Sequence, residues 1–217
     1  MTAGAADVIG FLALGGLFTA HITGNLVVLA AHYVTGKFSQ IGPLLAVPVF
    51  VLVLGAVTLF STNKTTCGSR RTLLILHAGL LTAFLALGVS LGPFANPDSW
   101  VAVSVGMVGV AAMATQNALV KLELPGFPST AVMTTNITQL TIDLALLVRG
   151  KADSTELARA RRRARLAFPS VTGFVAGCAL GGILELRFGL WALALPVFLA
   201  AIAIPLGELV SENVEET

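Results

Sequence analysis

His21, Thr23 and Asn25 fall within five residues of one another in the stretch FTAHITGNLVVLAAHYVTGK, Phe18 to Lys37, whose remaining residues are mostly apolar. An imidazole titrates between about pH 5 and 8 and is a proton-relay candidate. The Thr hydroxyl and Asn amide can bond exposed backbone or bind a polar solute, and Gly24 between them weakens a helix. In a hydrocarbon setting such groups survive only where they are buried in protein or line a wet cavity.

The same chemistry recurs along the chain. Asp7 and Asp143 are carboxylates inside apolar sequence, each costing at least about 2.5–3.5 kcal/mol at a bilayer centre unless paired or protonated, so an acid kept there is a proton or cation coupling candidate. Gln116 and Asn117 sit mid-segment with no neighbouring charge. Thr134 and Asn136 stand in a run with Thr135, Thr138, Gln139, Thr141 and Asp143, more polar than helix packing alone requires. The structural alternative is that these side chains tie helices together, at about 0.6 and up to about 2 kcal/mol each. Asp7 has its own: a carboxylate favoured by a helix N-terminus.

What must position these residues is a membrane domain. Of 217 residues 56% are hydrophobic and 11% charged, and the mean hydropathy is +0.90, against about 25% charged in soluble domains. Several runs reach the roughly 20 apolar residues a spanning helix needs, and alternating ten-residue strands are absent, which selects helices over a barrel. No separate globular catalytic domain fits in the remaining length. The first apolar run has no basic residues before it and no small-residue cleavage site after it, so it does not read as a secretory signal.

Apolar windows near 3–17, 21–35, 42–60, 72–92, 100–120, 130–149, 168–186 and 189–209 predict an all-α polytopic bundle of about seven or eight segments. Residues 150–167 hold Lys151, Arg159, Arg161, Arg162, Arg163 and Arg165 and read as a cytoplasmic loop by the positive-inside rule. The basic stretch is a topology anchor in the plain reading, and a site of attraction to anionic headgroups or nucleic acid in the sharper one. Alternating outward from it puts eight Lys/Arg inside, Lys37 among them, and five outside, with Arg70 and Arg71 on the wrong side.

An internal repeat organises the chain. TAHITGNL from Thr19 aligns with TAVMTTNI from Thr130 at an offset of 111, matching Thr19 with Thr130, Ala20 with Ala131, Thr23 with Thr134 and Asn25 with Asn136. This divides the chain into a first repeat, 1–95, and a second, 96–217, within one membrane domain. Four segments per half, an even number, predict parallel repeats, with Asn25 and Asn136 facing each other in a shared cavity. The first segment is about ten residues shorter than its counterpart, so it is a half-helix or its native start lies upstream. The Gly15–Gly16 step predicts a turn, with a new helix starting at His21 to Asn25.

GAADVIGFLALGGLFTAHITGNLVVLA, with ATQNALVKL and TTNITQLTIDLALL in the second half, resembles the YoaK-like bacterial membrane proteins, the domain of unknown function 1275 family. The resemblance covers nearly the whole chain. It implies a bacterial multi-pass protein of the cytoplasmic membrane whose activity is undefined, and members with more apolar sequence before the Asp.

The expected function is a small-solute permease or secondary transporter with its pathway between the repeats and a polar solute or proton as cargo; a membrane scaffold or regulatory protein is the alternative. No Ser/His/Asp, HExxH or Cys/His constellation can be assembled, so no enzyme, metal or cofactor is expected, and neither Cys67 nor Cys178 is assigned a role. His32 and His77 lie near segment ends and are assigned none either. Gly173, Gly177 and Gly181, four residues apart on one helical face, predict close helix packing or a homodimer face. The other partner is the lipid bilayer, and no nucleic-acid partner is expected.

Overall fold

The structure is a computed structural model, described over residues 1–36, 41–61, 66–124, 126–129, 132–151 and 153–215; the side chains of 66–69 and 208–215 are outside that description. Lys37, Lys64, Thr130, Ala131 and the Cys67 side chain therefore lie outside the described residues.

Every long element is helical. The helices are α1 (Thr2–Ala13), α2 (Ile22–Val34), α3 (Ile41–Ser61), α4 (Thr66–Leu91), α5 (Trp100–Glu123), α6 (Met133–Arg149), α7 (Ser154–Phe188) and α8 (Ala194–Glu215), with a 3-10 turn at Gly189–Leu193 between the last two. Among the described residues, four stretches are long and apolar enough to cross a membrane: Ile41–Ser61, Arg70–Leu91, Trp100–Glu123 and Ser154–Gly207, the last holding both α7 and α8. Helices α1 and α2 are apolar but shorter, with 12 and 13 residues.

Apolar side chains gain little by leaving lipid for protein, so close contact between small residues has to hold such helices together. The interface of α1 with α7 is built that way. A Cβ added at Gly177 would run into the Met1 carbonyl, one at Gly181 would stand 2.8 Å from Ala5 Cα, and Gly4 abuts Phe174 and Cys178. The Gly173/Gly177/Gly181 face is thus filled by α1 of the same chain. The packing expectation is met inside the molecule, where α1 lies against these glycines.

Pairs of contacts give the direction of each helix. Met1, Ala5 and Val8 meet Gly177, Gly181 and Gly182 in turn, so α1 and α7 run the same way. Ile41 N–H bonds Asp98 at one end of α3 and α5, and Val57 clusters with Ala118 and Leu119 at the other, so these two also run together. Arg70 reaches the Glu123 carbonyl, His77 the Ala112 carbonyl and Phe84 meets Gly109, making α4 antiparallel to α5. Leu74 meets Gly207 while Leu190 and Leu193 meet Gly88, so α4 is antiparallel to α8. Gly189, at φ 56°, turns the chain back between α7 and α8.

Helix α2 follows the direction of α1. Its N-terminal His21 touches Asp7, and one to two turns further on Val28 stands beside Gly16, which also neighbours Phe11. Together α1 and α2 make one broken crossing. Helix α6 likewise continues the direction of α5, since it runs antiparallel to α7 through Asp143–Arg163 and the cluster of Leu140 with Ala164 and Ala167.

With α1 and α2 taken as one broken passage along the bundle, and α5 and α6 as another, the helix directions of the second half are the reverse of those of the first. Helices α1, α3 and α4 run opposite to α5, α7 and α8, the helices that follow the same order in the second half. The expectation of parallel halves is corrected here: it counted α1 and α2 as two passages. The same correction redistributes charge. Lys37 and Lys64 aside, 11 of the 13 Lys/Arg remain. Arg70, Arg71, Lys121, Arg149, Lys151, Arg159, Arg161, Arg162, Arg163 and Arg165 sit at the end where α4 and α7 begin and α5 and α6 finish, and Arg187 at the other.

Residues 154–167 are not a loop but the first turns of α7. Asp153 stands at its N-cap, Thr155 donates its hydroxyl to that carboxylate, and this bond, ahead of the Ser154 amide, holds Asp153 below the usual carboxylate range. The run LARARRRARLA consists of strong helix formers, so charge did not signal irregular structure.

Candidate functional site

Helix α1 ends at Ala13, and Gly15 and Gly16 take φ values of 65° and 93° that side-chain-bearing residues resist. The chain then doubles back along α1, returning Thr19, Ala20 and His21 to Asp7. Asp7 Oδ1 accepts the Ala20 N–H at 2.6 Å and the Thr19 hydroxyl at 3.2 Å, and Oδ2 lies 2.6 Å from His21 Nδ1. Asp7 is 2% exposed and Thr19 fully buried, whereas the His21 side chain keeps 31% exposure. The His21 ring packs on Phe174 at 5.3 Å.

The position of Asp7 has an electrostatic reason. Helix α2 begins with free amides and a partial positive charge, and its own N-cap, His21, makes no side-chain capping bond. The carboxylate from α1 supplies the missing negative charge. Nδ1 is the His21 ring nitrogen that meets the carboxylate, so Nε2 is the one not engaged by Asp7. The pair sits deep: Ala6 and Ala20 cluster with Leu81, Met113 and Ala200, and Phe174 packs on them, and Leu81 is at the middle of the Arg70–Leu91 stretch.

Asn25, fully buried, closes this loop from the α2 side. Its Oδ1 accepts the Phe18 N–H at 2.9 Å and its Nδ2 donates to the Phe18 carbonyl at 2.8 Å. Asn136 does the same kind of work after α5: its Nδ2 donates to the Ser129 carbonyl at 2.8 Å. Each amide reaches back seven residues, and Phe18 and Ser129 are themselves 111 apart. Gly15 and Gly126 share positive φ, and the helix starts Ile22 and Met133 keep the same offset. Ser129 also donates its hydroxyl to Asn117 Oδ1 at 3.3 Å, which ties the second loop to α5.

Not all the expected residues converge. Asp7 joins His21, and Asn117 joins Asn136 through Ser129. Asn25 and Asn136 are each bound to their own loop, with α2 packed on α3 and α6 on α7. Thr23 and Thr134 are exposed. Gln116 is half-buried, with Oε1 shielded from solvent and unbonded among the described residues. Cavities of about 450 and 520 Å³ are lined by other residues, at Phe127 with Arg161 and at Gly92 with Glu185.

Asp143 is held elsewhere. It is wholly buried and takes Arg163 NH2 at 2.6 Å and Nε at 3.1 Å, with Gln139 Nε2 at 3.1 Å. A fork of this kind neutralises the carboxylate. Sequence reasoning singled out Asp143 without pairing it to Arg163, used Thr19 only to align the repeat, and passed over Ser129. The 111 offset from Phe18 was the signal available for Ser129. His77, placed near a segment end by the apolar windows, lies well inside α4, buried and bonded to the Ala112 carbonyl at 2.9 Å.

A family model described as "Protein of unknown function (DUF1275)" matches residues 1–206 of the chain. No curated protein and no solved structure matches it.

Proposed function

The chain belongs to the DUF1275 family, and we propose that it is a small-solute permease or secondary transporter of the bacterial cytoplasmic membrane, built from two inverted repeats. The observation that carries this reading is the Asp7–His21 pair at the break between α1 and α2, level with the middle of the bundle. A buried carboxylate in contact with a partly exposed imidazole can take up and release a proton on the pathway of a solute. The matched breaks support it. Two broken segments of opposite sense, with helix N-termini near mid-depth, are the arrangement in which inverted-repeat transporters hold their ligand. The Arg-rich end faces the cytoplasm in this reading.

The direct test is flux. In proteoliposomes carrying an internal pH dye, a screen of small polar solutes finds one that moves protons with the wild type, and Asp7→Asn and His21→Ala each abolish that movement while the protein stays folded. Solute-driven proton movement that survives both substitutions removes the pair from the pathway.

One observation favours the second reading, a membrane scaffold or regulatory protein. Asn25, Asn117 and Asn136 bond to the chain itself, as tying groups would. A ligand screen by thermal shift separates the two, since a solute that binds the native state raises its apparent stability and a scaffold responds to none.

A further inference from the structure

Arg161, Arg162 and Arg165 line a cavity of about 450 Å³ with Gly126, Phe127, Ala158 and Leu166. A groove of about 340 Å³ adjoins it between α6 and α7, lined by Leu140, Leu144, Leu147, Ala164, Phe168 and Pro169. Arg161 and Arg165 border both. Arg163, between them in sequence, is committed to Asp143. Arg161, Arg162 and Arg165 are exposed and have no carboxylate in ion-pair contact among the described residues.

Depth points the same way. Phe174 of α7 packs against the cluster containing Leu81, the midpoint of the α4 apolar stretch. At 1.5 Å per residue, Arg165 and Arg161 lie about 14 and 20 Å from that level along α7. The hydrocarbon half-thickness is about 15 Å, and headgroups extend to about 20–22 Å. Positions 165 and 161 therefore flank the edge of the hydrocarbon of a bilayer centred on that level, from where long arginine side chains reach its phosphates, while the apolar groove runs beside them between α6 and α7.

We propose that this cavity and groove bind one anionic phospholipid, its phosphate held by Arg161, Arg162 and Arg165 and an acyl chain laid along Leu140, Leu144 and Phe168. Guanidinium groups grip phosphate by paired hydrogen bonds, and basic pockets between helices at the cytoplasmic side suit such headgroups. The proposal requires a bundle lying in a membrane but no transport activity, so it stands or falls separately from the permease reading.

The test titrates full-length protein in neutral detergent with phosphatidylglycerol, phosphatidylcholine or inorganic phosphate and follows the melting temperature. Phosphatidylglycerol should raise it saturably, and the other two should not. The triple variant Arg161→Gln/Arg162→Gln/Arg165→Gln should need at least about tenfold more phosphatidylglycerol for the same shift, whereas Arg149→Gln/Arg159→Gln, equally basic positions outside the cavity, should change it less than about twofold. If the triple variant does not fold, Arg165→Gln alone should weaken the response, and Leu144→Trp, which fills the groove and leaves every charge in place, should weaken it too. An equal response to phosphatidylcholine or to inorganic phosphate overturns the proposal. So does an equal loss in both arginine variants, which would mark diffuse surface attraction, or an unchanged response in Arg165→Gln and Leu144→Trp.

Discussion

Asp143 and Arg163, twenty residues apart, form a forked ion pair whose acid is wholly buried and whose base is 45% exposed. The pair staples α6 to the first half of α7 and places an acid in apolar sequence without leaving it uncompensated.

Removing the base should therefore cost more than neutralising the acid. Removing one partner of a buried pair strands the other's charge, and the exposure of Arg163 lets solvent screen part of that loss, so the effect should be smaller than for a fully buried pair but keep its sign. Arg163→Gln, which strands a buried charge, should lower the melting temperature in detergent more than Asp143→Asn does. The reverse order would mean that the Arg163 contact is not what offsets the burial of Asp143.

The two asparagine brackets predict a graded effect. Asn25 makes two bonds to Phe18 and Asn136 one to Ser129, and stranding buried backbone groups costs about 1–3 kcal/mol each. Asn25→Ala should destabilise more than Asn136→Ala and should open 14–21 to limited proteolysis. Equal protease resistance in Asn25→Ala and wild type would refute the bracket.

Close approach of α1 to α7 predicts the outcome at Gly177. Gly177→Val places carbon where the Met1 carbonyl lies, so it should displace α1 and lower stability sharply. The mass measured by light scattering should not change, because the face is filled from within the chain. A shift from dimer to monomer on this substitution would restore the intermolecular face.

The apolar windows and the Thr-x-Asn spacing made the helical class, the turn at Gly15–Gly16 and the start of α2 legible. They could not give direction. Hydropathy measures how long an apolar run is, not whether the chain reverses after it, so α1 and α2 read as two passages where Asp7 and His21 join them into one. The partners were illegible for a related reason: Arg163 had to be helical to reach Asp143, and a run of arginines reads as solvated loop when charge alone is weighed. Phe18 and Ser129 contribute backbone groups to the brackets, and backbone carries no residue signature.

The reversal of the second half is the central structural claim, and sided labelling of single cysteines tests it most directly. In a background with Cys67 and Cys178 replaced, Arg71→Cys, Ala95→Cys, Lys151→Cys and Arg187→Cys are exposed to an impermeant thiol reagent in intact spheroplasts and again after lysis. Three crossings per half predict that positions 95 and 187 label from outside while 71 and 151 label only after lysis. Labelling of 71 together with 187 from outside, with 95 and 151 protected, would restore four crossings per half and contradict the account.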